Sequence, residues 1–169
     1  MKLRTKVWWV VAAIALAIPR MAVAQDDVVG IPVGETPPAV TIEDLDGNPA
    51  PLSRWVGKKP VIVEFWATWC PICAELLPRM EAARKKYGDR AEFLVIAVAV
   101  NQSKNTVRRH LERNPMPFTF LWDANGAAVR AFQAPATSYV AVLDAKGRVV
   151  YTGIGADQDI ETALQKAVR

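Results

Sequence analysis

Val61-Ile62-Val63-Glu64-Phe65-Trp66-Ala67-Thr68-Trp69-Cys70-Pro71-Ile72-Cys73 is a run of apolar strand formers that breaks, within a few residues, into a Cys-x-x-Cys pair. The near-unbroken apolar stretch from Val61 to Ala67 fits a central strand buried on both faces. After the pair, Leu76, Leu77, Met80 and Tyr87 recur near helical spacing with Arg79, Arg84, Lys85 and Lys86 between them, which predicts an amphipathic helix. Cys70 therefore falls where a buried strand gives way to a helix N-terminus. Unpaired backbone N–H groups and the helix dipole stabilise a thiolate there. Cys73, three residues on, lies on the same side one turn along, within bonding reach of Cys70.

These are the only two cysteines, and His110 is the only histidine. A disulfide framework needs more pairs and a structural zinc site needs four ligands, so neither can be built. As a staple, a bridge closing four residues is worth roughly 2 kcal/mol at most. Repeated opening and closing, with one sulfur attacking and the other resolving, is the better use of the pair.

Residues 1–24 read as a secretory signal: Lys2, Arg4 and Lys6 are basic, Val7 to Ile18 is apolar, and Ala22-Val23-Ala24 offers a small-x-small cleavage site. The apolar core is shorter than the ~20 residues of a membrane span. Retention as an uncleaved anchor is the alternative, because Arg20 stands close to the cut. The segment holds four basic residues and no acid, so 21 Lys+Arg less four leaves 17, equal to the 17 Asp+Glu. The mature chain is formally neutral, which argues against a nucleic-acid or anionic-membrane partner. Outside the cytosol an isolated cysteine pair is either a minor clip or a managed redox centre. The remaining length suits one domain, expected as a monomer.

Residues 25–39, rich in Pro and Gly, read as a linker, and residues 40–169 as the domain. Asp46-Gly47 predicts a small hairpin between Val40 and Leu52. Phe93 to Val100 is a second buried-strand pattern, followed by a basic, polar-faced helix over Ser103 to Arg113. A short strand over Phe118 to Trp122 and a short helix over Ala127 to Phe132 come next. Ser138 to Leu143 and Arg148 to Gly153 form a hairpin around Asp144-Ala145-Lys146-Gly147, and Asp157 is expected to cap a last helix carrying Ile160, Leu164 and Val168. Strand–helix–strand–helix, then a hairpin and a closing helix, implies an α/β fold with a mixed central sheet flanked by helices.

With these motifs in place, the chain resembles the thioredoxin superfamily, and within it the TlpA/ResA/DsbE branch of exported thiol–disulfide oxidoreductases. The resemblance spans about residues 36–168 and rests on Val63 to Cys73, on Pro78 five residues after the second cysteine, and on the Asp-Ala-Lys-Gly turn. Met116 to Phe132 resembles the strand–turn–helix which that branch inserts into the core, and the N-terminal hairpin fits as well. The resemblance implies reduction of disulfides outside the cytoplasm, often the haem-attachment cysteines of apocytochrome c. It also implies re-reduction by a membrane thiol carrier.

Cys70 is the expected nucleophile and Cys73 the resolving thiol. Glu64, the lone charge in the apolar run, matches by resemblance the buried acid behind the second cysteine. A carboxyl drawn out of water has a raised pKa and can exchange a proton with Cys73. A glutamate reaching solvent at a strand end is the plainer reading. Trp69 and Pro71, flanking Cys70, are expected to meet substrate, with Trp69 as an apolar wall. Pro135 is the best match to the cis-proline which the superfamily sets against the disulfide. Its spacing to Gly147 is longer than the family's, so Thr137-Ser138 could occupy that loop instead, with Pro135 an ordinary trans turn residue. Trp66 reads as core, Pro78 as a kink, and Glu75 and His110 as solvated surface residues.

The resulting expectation is a periplasmic thiol–disulfide reductase of the cytochrome c maturation type, with no bound cofactor and no metal. An oxidase or isomerase is the alternative within redox chemistry. Against it, Pro71-Ile72 lacks a histidine, and an ionised Glu64 would oppose a second negative charge. A Cu(I)-binding assembly factor is the alternative from another class, since two thiolates suit a soft ion. A peroxidase is excluded because Ala67 stands where the Pro-x-x-x-Thr-x-x-Cys pattern needs threonine.

Overall fold

Among the residues described by this computed structural model, 29–169, one mixed sheet of seven strands forms the body of the protein. The expected signal over residues 1–24 lies outside the described residues. In chain order the elements are β1 (Thr41–Asp44), β2 (Pro49–Pro51), β3 (Val61–Trp66), α1 (Pro71–Tyr87), β4 (Glu92–Val98) and α2 (Lys104–Arg113), then β5 (Thr119–Asp123), α3 (Ala127–Ala131), β6 (Tyr139–Leu143), β7 (Val149–Gly153) and α4 (Ile160–Ala167). The strand order is β2-β1-β5-β4-β3-β6-β7.

β3 occupies the interior because every one of its residues is buried. It pairs in parallel with β4 and antiparallel with β6, so that Glu64 faces Val95 on one side and Val140 on the other. β5 extends the parallel set beyond β4, and the β1–β2 hairpin joins it antiparallel through Glu43 and Trp122. Alternation along β3 separates two apolar layers. Val61, Val63 and Phe65 pack with β4, Phe132 and Tyr139, whereas Ile62 packs with Leu76 and Met80 of α1 and with Ile160 and Leu164 of α4.

α1 is one continuous helix through Pro78, and its buried stripe is Cys73, Leu76, Met80, Ala83 and Tyr87. Alternating steps of three and four place these side chains in one line over the sheet. Leu77, expected in that stripe, is only half-buried beside it.

Three local expectations are corrected. The N-cap of α4 is Asp159, whose carboxylate accepts the Thr162 N–H at 3.0 Å; Asp157 instead pairs with Arg79. The described part of the Pro/Gly-rich lead is not a free linker. Ile31 N–H donates to the Phe132 carbonyl at 2.9 Å and to Tyr139 Oη at 3.3 Å, and Gly34 and Glu35 bond with Val149 along the outer edge of β7. Covering an edge strand in this way blocks pairing with other chains. Gly30 is required there, because at φ +76° an added Cβ would stand 2.3 Å from Tyr139 Oη. Finally, His110 is half-buried, its ring set edge-on to Trp66 with centroids 5.4 Å apart. Burial, and then the charge of Arg113, hold its pKa below the ordinary value.

Candidate active site

The parallel pairing of β3 with β4 and the antiparallel pairing of β6 with β3 bring four loops to one end of the sheet. These are residues 67–70 after β3, 99–103 after β4, 133–138 before β6 and 154–159 after β7. Cys70 and Cys73 lie at this end and are joined in a disulfide, with Cα atoms 5.3 Å apart. Cys70 is the N-cap of α1: its backbone is extended and its Sγ accepts the Cys73 N–H at 3.1 Å, while Pro71 fills the first helical position. Proline fits there because its missing N–H would have had no partner in the first turn. The backbone N–H on sulfur is the interaction that stabilises negative charge on Cys70 once the bond opens. Cys70 is 7% exposed and Cys73 1%, so an incoming group meets Cys70 first.

Glu64 does not reach solvent. It is 2% exposed, and among the described residues its Oε1 has no hydrogen-bond partner. Burial alone pushes its pKa up to about 8, so beside the closed disulfide the carboxyl is mostly protonated at neutral pH. The opposition of an ionised Glu64 to a second negative charge therefore begins only above that pH. Glu64 shares its face of β3 with Ile62, which packs with Leu76 and Met80 of α1.

Trp69 is 45% exposed, and its indole N–H donates to the Val100 carbonyl at 2.7 Å, which ties the rim of the site to the loop after β4. Gln102 adds a second tie that nothing in the sequence marked. Its Oε1 accepts both the N–H and the hydroxyl of Thr68 at 2.9 Å, while its Nε2 donates to the Val98 carbonyl at 2.7 Å.

Pro135 departs from expectation. Its peptide bond is trans, it is exposed, and it lies outside the strand. The residue that leads into β6 is Ser138, buried to 1% exposure, with its N–H donated to the Phe65 carbonyl at 2.8 Å. Thr137-Ser138 thus holds the position beside β3, in line with the spacing to Gly147. Pro135 marks only the turn before it.

Apart from Asp157 and Asp159 at the far end of the last loop, the rim is uncharged. Residues 67–74, 99–103, 133–138 and 154–156 contain no Asp, Glu, Lys or Arg. Trp69, Ile72, Val100 and Ile154, four of the five large apolar residues most exposed among those described, stand in these segments. Glu75, the first charge of α1, is exposed as expected. No group of three or more His, Cys, Asp and Glu among the described residues could hold a metal ion.

Comparison with known proteins agrees with this geometry. The Redoxin family matches residues 32–167. The thioredoxin-like protein YneN of Bacillus subtilis is 32% identical over 143 residues, covering 80% of this chain and 81% of that one. The thiol-disulfide oxidoreductase ResA of Geobacillus kaustophilus is 29% identical over 137 residues, covering 80% and 78%. Among solved structures, a thioredoxin-family thiol:disulfide interchange protein from Chlorobium tepidum superposes with a TM-score of 0.67 at 24% identity, over 82% of this chain and 99% of that one. StoA of Bacillus subtilis superposes with a TM-score of 0.63 at 19% identity, over 77% and 97%. At these identities the two structures speak for the fold.

Proposed function

Since the chain belongs to the Redoxin family, as a TlpA/ResA/DsbE-like thiol–disulfide oxidoreductase of the thioredoxin superfamily, we propose that it works outside the cytoplasm as a reductase of protein disulfides. The observation that carries the reading is the Cys73 N–H donated to Cys70 Sγ at the N-cap of α1. In the reduced protein the same arrangement favours Cys70 as the thiolate. That thiolate attacks one sulfur of a substrate disulfide; the other substrate sulfur leaves as a thiolate that takes a proton from water, and a mixed disulfide remains. From the form in which Glu64 is ionised, Cys73 then gives its proton to that carboxylate and attacks Cys70 Sγ, expelling the second substrate sulfur as a thiolate that takes a proton from water. The electron pair has passed to the substrate, and the protein is left with the Cys70–Cys73 disulfide and a protonated Glu64, matching the raised pKa of that residue beside the closed bond. Re-reduction runs the steps backwards, with a membrane thiol carrier as the donor.

Trp69 and Pro71 on one side, and the Thr137-Ser138 backbone in place of Pro135 on the other, form the surface that meets the substrate chain. An uncharged, partly apolar rim suits cysteines flanked by uncharged residues, such as those of an unfolded apocytochrome. The absence of histidine from Pro71-Ile72 supports the reducing direction, because the reduced thiolate lacks one stabilising donor. The pair is expected to equilibrate below about −200 mV, nearer the ~−270 mV of thioredoxin than the ~−120 mV of the strong oxidant DsbA. Two measurements test this. Equilibration against a dithiothreitol series reads the potential, and a value near that of DsbA would make the protein an oxidase. Cys73→Ser should accumulate a mixed disulfide through Cys70 with its substrate protein; capture through neither sulfur would remove the assignment of roles.

A further inference from the structure

All three non-glycine residues with left-handed backbones among those described, Asn101 (φ 53°), Gln133 (φ 50°) and Ser138 (φ 62°), lie in the loops beside the disulfide. Two of them bracket the segment 133–138, which runs into β6 alongside the end of β3. Side chains rarely tolerate this conformation, and a chain holds it only where the surroundings over-determine it. At Ser138 those surroundings are visible. Its N–H is held by the Phe65 carbonyl, its Oγ accepts the Gly155 N–H at 3.3 Å, and its carbonyl accepts Gln158 Nε2 at 2.9 Å.

Gln158 is the hub of this arrangement. It is 5% exposed, although it sits between two exposed aspartates in the connection from β7 to α4. Its second amide hydrogen goes to the Gly155 carbonyl at 2.7 Å, and its Oε1 accepts the Tyr151 hydroxyl at 3.3 Å. Both donors and the acceptor of one buried amide are used, and they tie the loop before β6 to the loop after β7. No helix or strand hydrogen bond performs that task.

We propose that Gln158 is a positioning residue: its amide fixes the Ser138 carbonyl, and with it the 133–138 loop, in the shape that a substrate chain meets beside Cys70. The inference rests on the reading of protein disulfides as substrates. Gln158 touches neither sulfur in this arrangement, so its loss is expected to weaken docking and leave the thiol chemistry alone. Misplacing a docking edge by about 1 Å can cost up to a hundredfold in rate.

The test compares a cystine-containing peptide with hydroxyethyl disulfide, which is too small to use the loop. Gln158→Met keeps the volume and removes the amide. It should lower kcat/KM for the peptide by about tenfold or more, through KM. Its rate with hydroxyethyl disulfide and its reduction potential should match the parent protein. Tyr151→Phe keeps the ring, removes only the hydroxyl donated to Gln158 Oε1, and should lose about threefold on the peptide alone; it carries the test if Gln158→Met fails to fold. Equal losses on both disulfides, or a shifted potential, would overturn the proposal in favour of a general structural role. A parent protein inert toward the peptide overturns the reductase reading and this inference with it. An active parent matched on the peptide by its folded variants overturns the inference alone.

Discussion

The two ends of β3 are built from different materials. At the Val61 end, the turns between strands carry Lys58, Lys59, Asp89, Arg90, Asp144, Lys146 and Arg148, and glycine takes the left-handed positions at Gly57 (φ 81°) and Gly147 (φ 81°). Asp144 closes its turn there by accepting the Lys146 and Arg148 N–H groups at 2.8 and 2.9 Å, and the Lys59–Glu92 ion pair spans 2.7 Å. At the Cys70 end, the segments nearest the disulfide are uncharged, asparagine, glutamine and serine adopt left-handed backbones, and Glu64, its Oε1 without a partner among the described residues, lies buried in the strand leading to the disulfide. One sheet therefore has one end made of locally favoured choices and another that departs from them. Departures of that kind gather where a molecule acts, because selection retains them against their cost in stability.

The most direct way to break this contrast is to remove the chemistry from the Cys70 end. Cys70→Ala should reduce disulfide exchange on the order of 10³-fold or more, the scale seen when a nucleophile is deleted. The fold should survive, because the lost clip closes only four residues and is worth roughly 2 kcal/mol. Stopped-flow exchange with a peptide disulfide, alongside urea unfolding, separates the two effects. Retained exchange would place the reactive centre elsewhere.

Glu64 sharpens the contrast through pH. Its carboxyl titrates near 4.5 in the unfolded chain and at about 8 in the oxidised fold, so between those values the folded protein holds a proton that the unfolded chain has released. Unfolding then releases a proton, and stability falls as pH rises, by about 1.4 kcal/mol per unit. The contribution is fully present below the unfolded pKa and is lost as pH climbs to the folded one. Glu64→Gln should remove this slope, leaving it more stable than the parent by roughly 3 kcal/mol at about pH 7.5 relative to about pH 5.5. Urea titrations of both oxidised proteins across that range decide the matter, and parallel curves would mean that Glu64 finds water.

How much of this was readable in the chain follows the same division. β3, the cysteine pair and α1 are legible because a buried strand and an amphipathic helix write periodicities into contiguous residues, and Glu64 is conspicuous as the lone charge between apolar neighbours. The hairpins at the Val61 end are legible because Asp-Gly and Lys-Gly turns are local chemistry. Ser138 was legible only as the alternative to Pro135, through the spacing to Gly147, because which residue of Pro135 to Ser138 abuts Phe65 depends on pairing with a strand more than seventy positions earlier. Gln158 was hidden for a related reason, since nothing local separates a buried glutamine from an exposed one. Asp157 and Asp159 are equally good caps by type, and the docking of α4 against the sheet chose between them.

Glycine at the stable end offers a matched pair of substitutions. Gly147→Ala forces a side chain into a left-handed backbone, with its Cβ 3.0 Å from Val56 Cγ1 and 3.3 Å from the Gly57 nitrogen, and should cost about 1–2 kcal/mol. The reverse change at the Cys70 end, Asn101→Gly, supplies the residue that the backbone prefers. It should alter stability by only about 0.5 kcal/mol, since asparagine is among the residues that visit this region most readily. Thermal unfolding measures both, and a Gly147→Ala variant as stable as its parent would show that the turn relaxes.

The smallest effect is expected at the Lys59–Glu92 pair, and its smallness is informative. The ion pair joins the start of β3 to the start of β4, yet both side chains are about one-third exposed, at 38% and 33%. Water screens a pair so placed, and holding two long side chains together offsets much of the attraction, so Lys59→Gln should cost less than about 0.5 kcal/mol. That small cost should shrink further in 1 M salt, where the screening length is about 3 Å. Exchange with a peptide disulfide should not change, because the pair sits at the far end of β3 from Cys70, with the buried length of the strand between them. If Lys59→Gln slowed exchange severalfold while stability held, the Val61 end would take part in the chemistry, and the division of the sheet into a supporting end and a working end would fail.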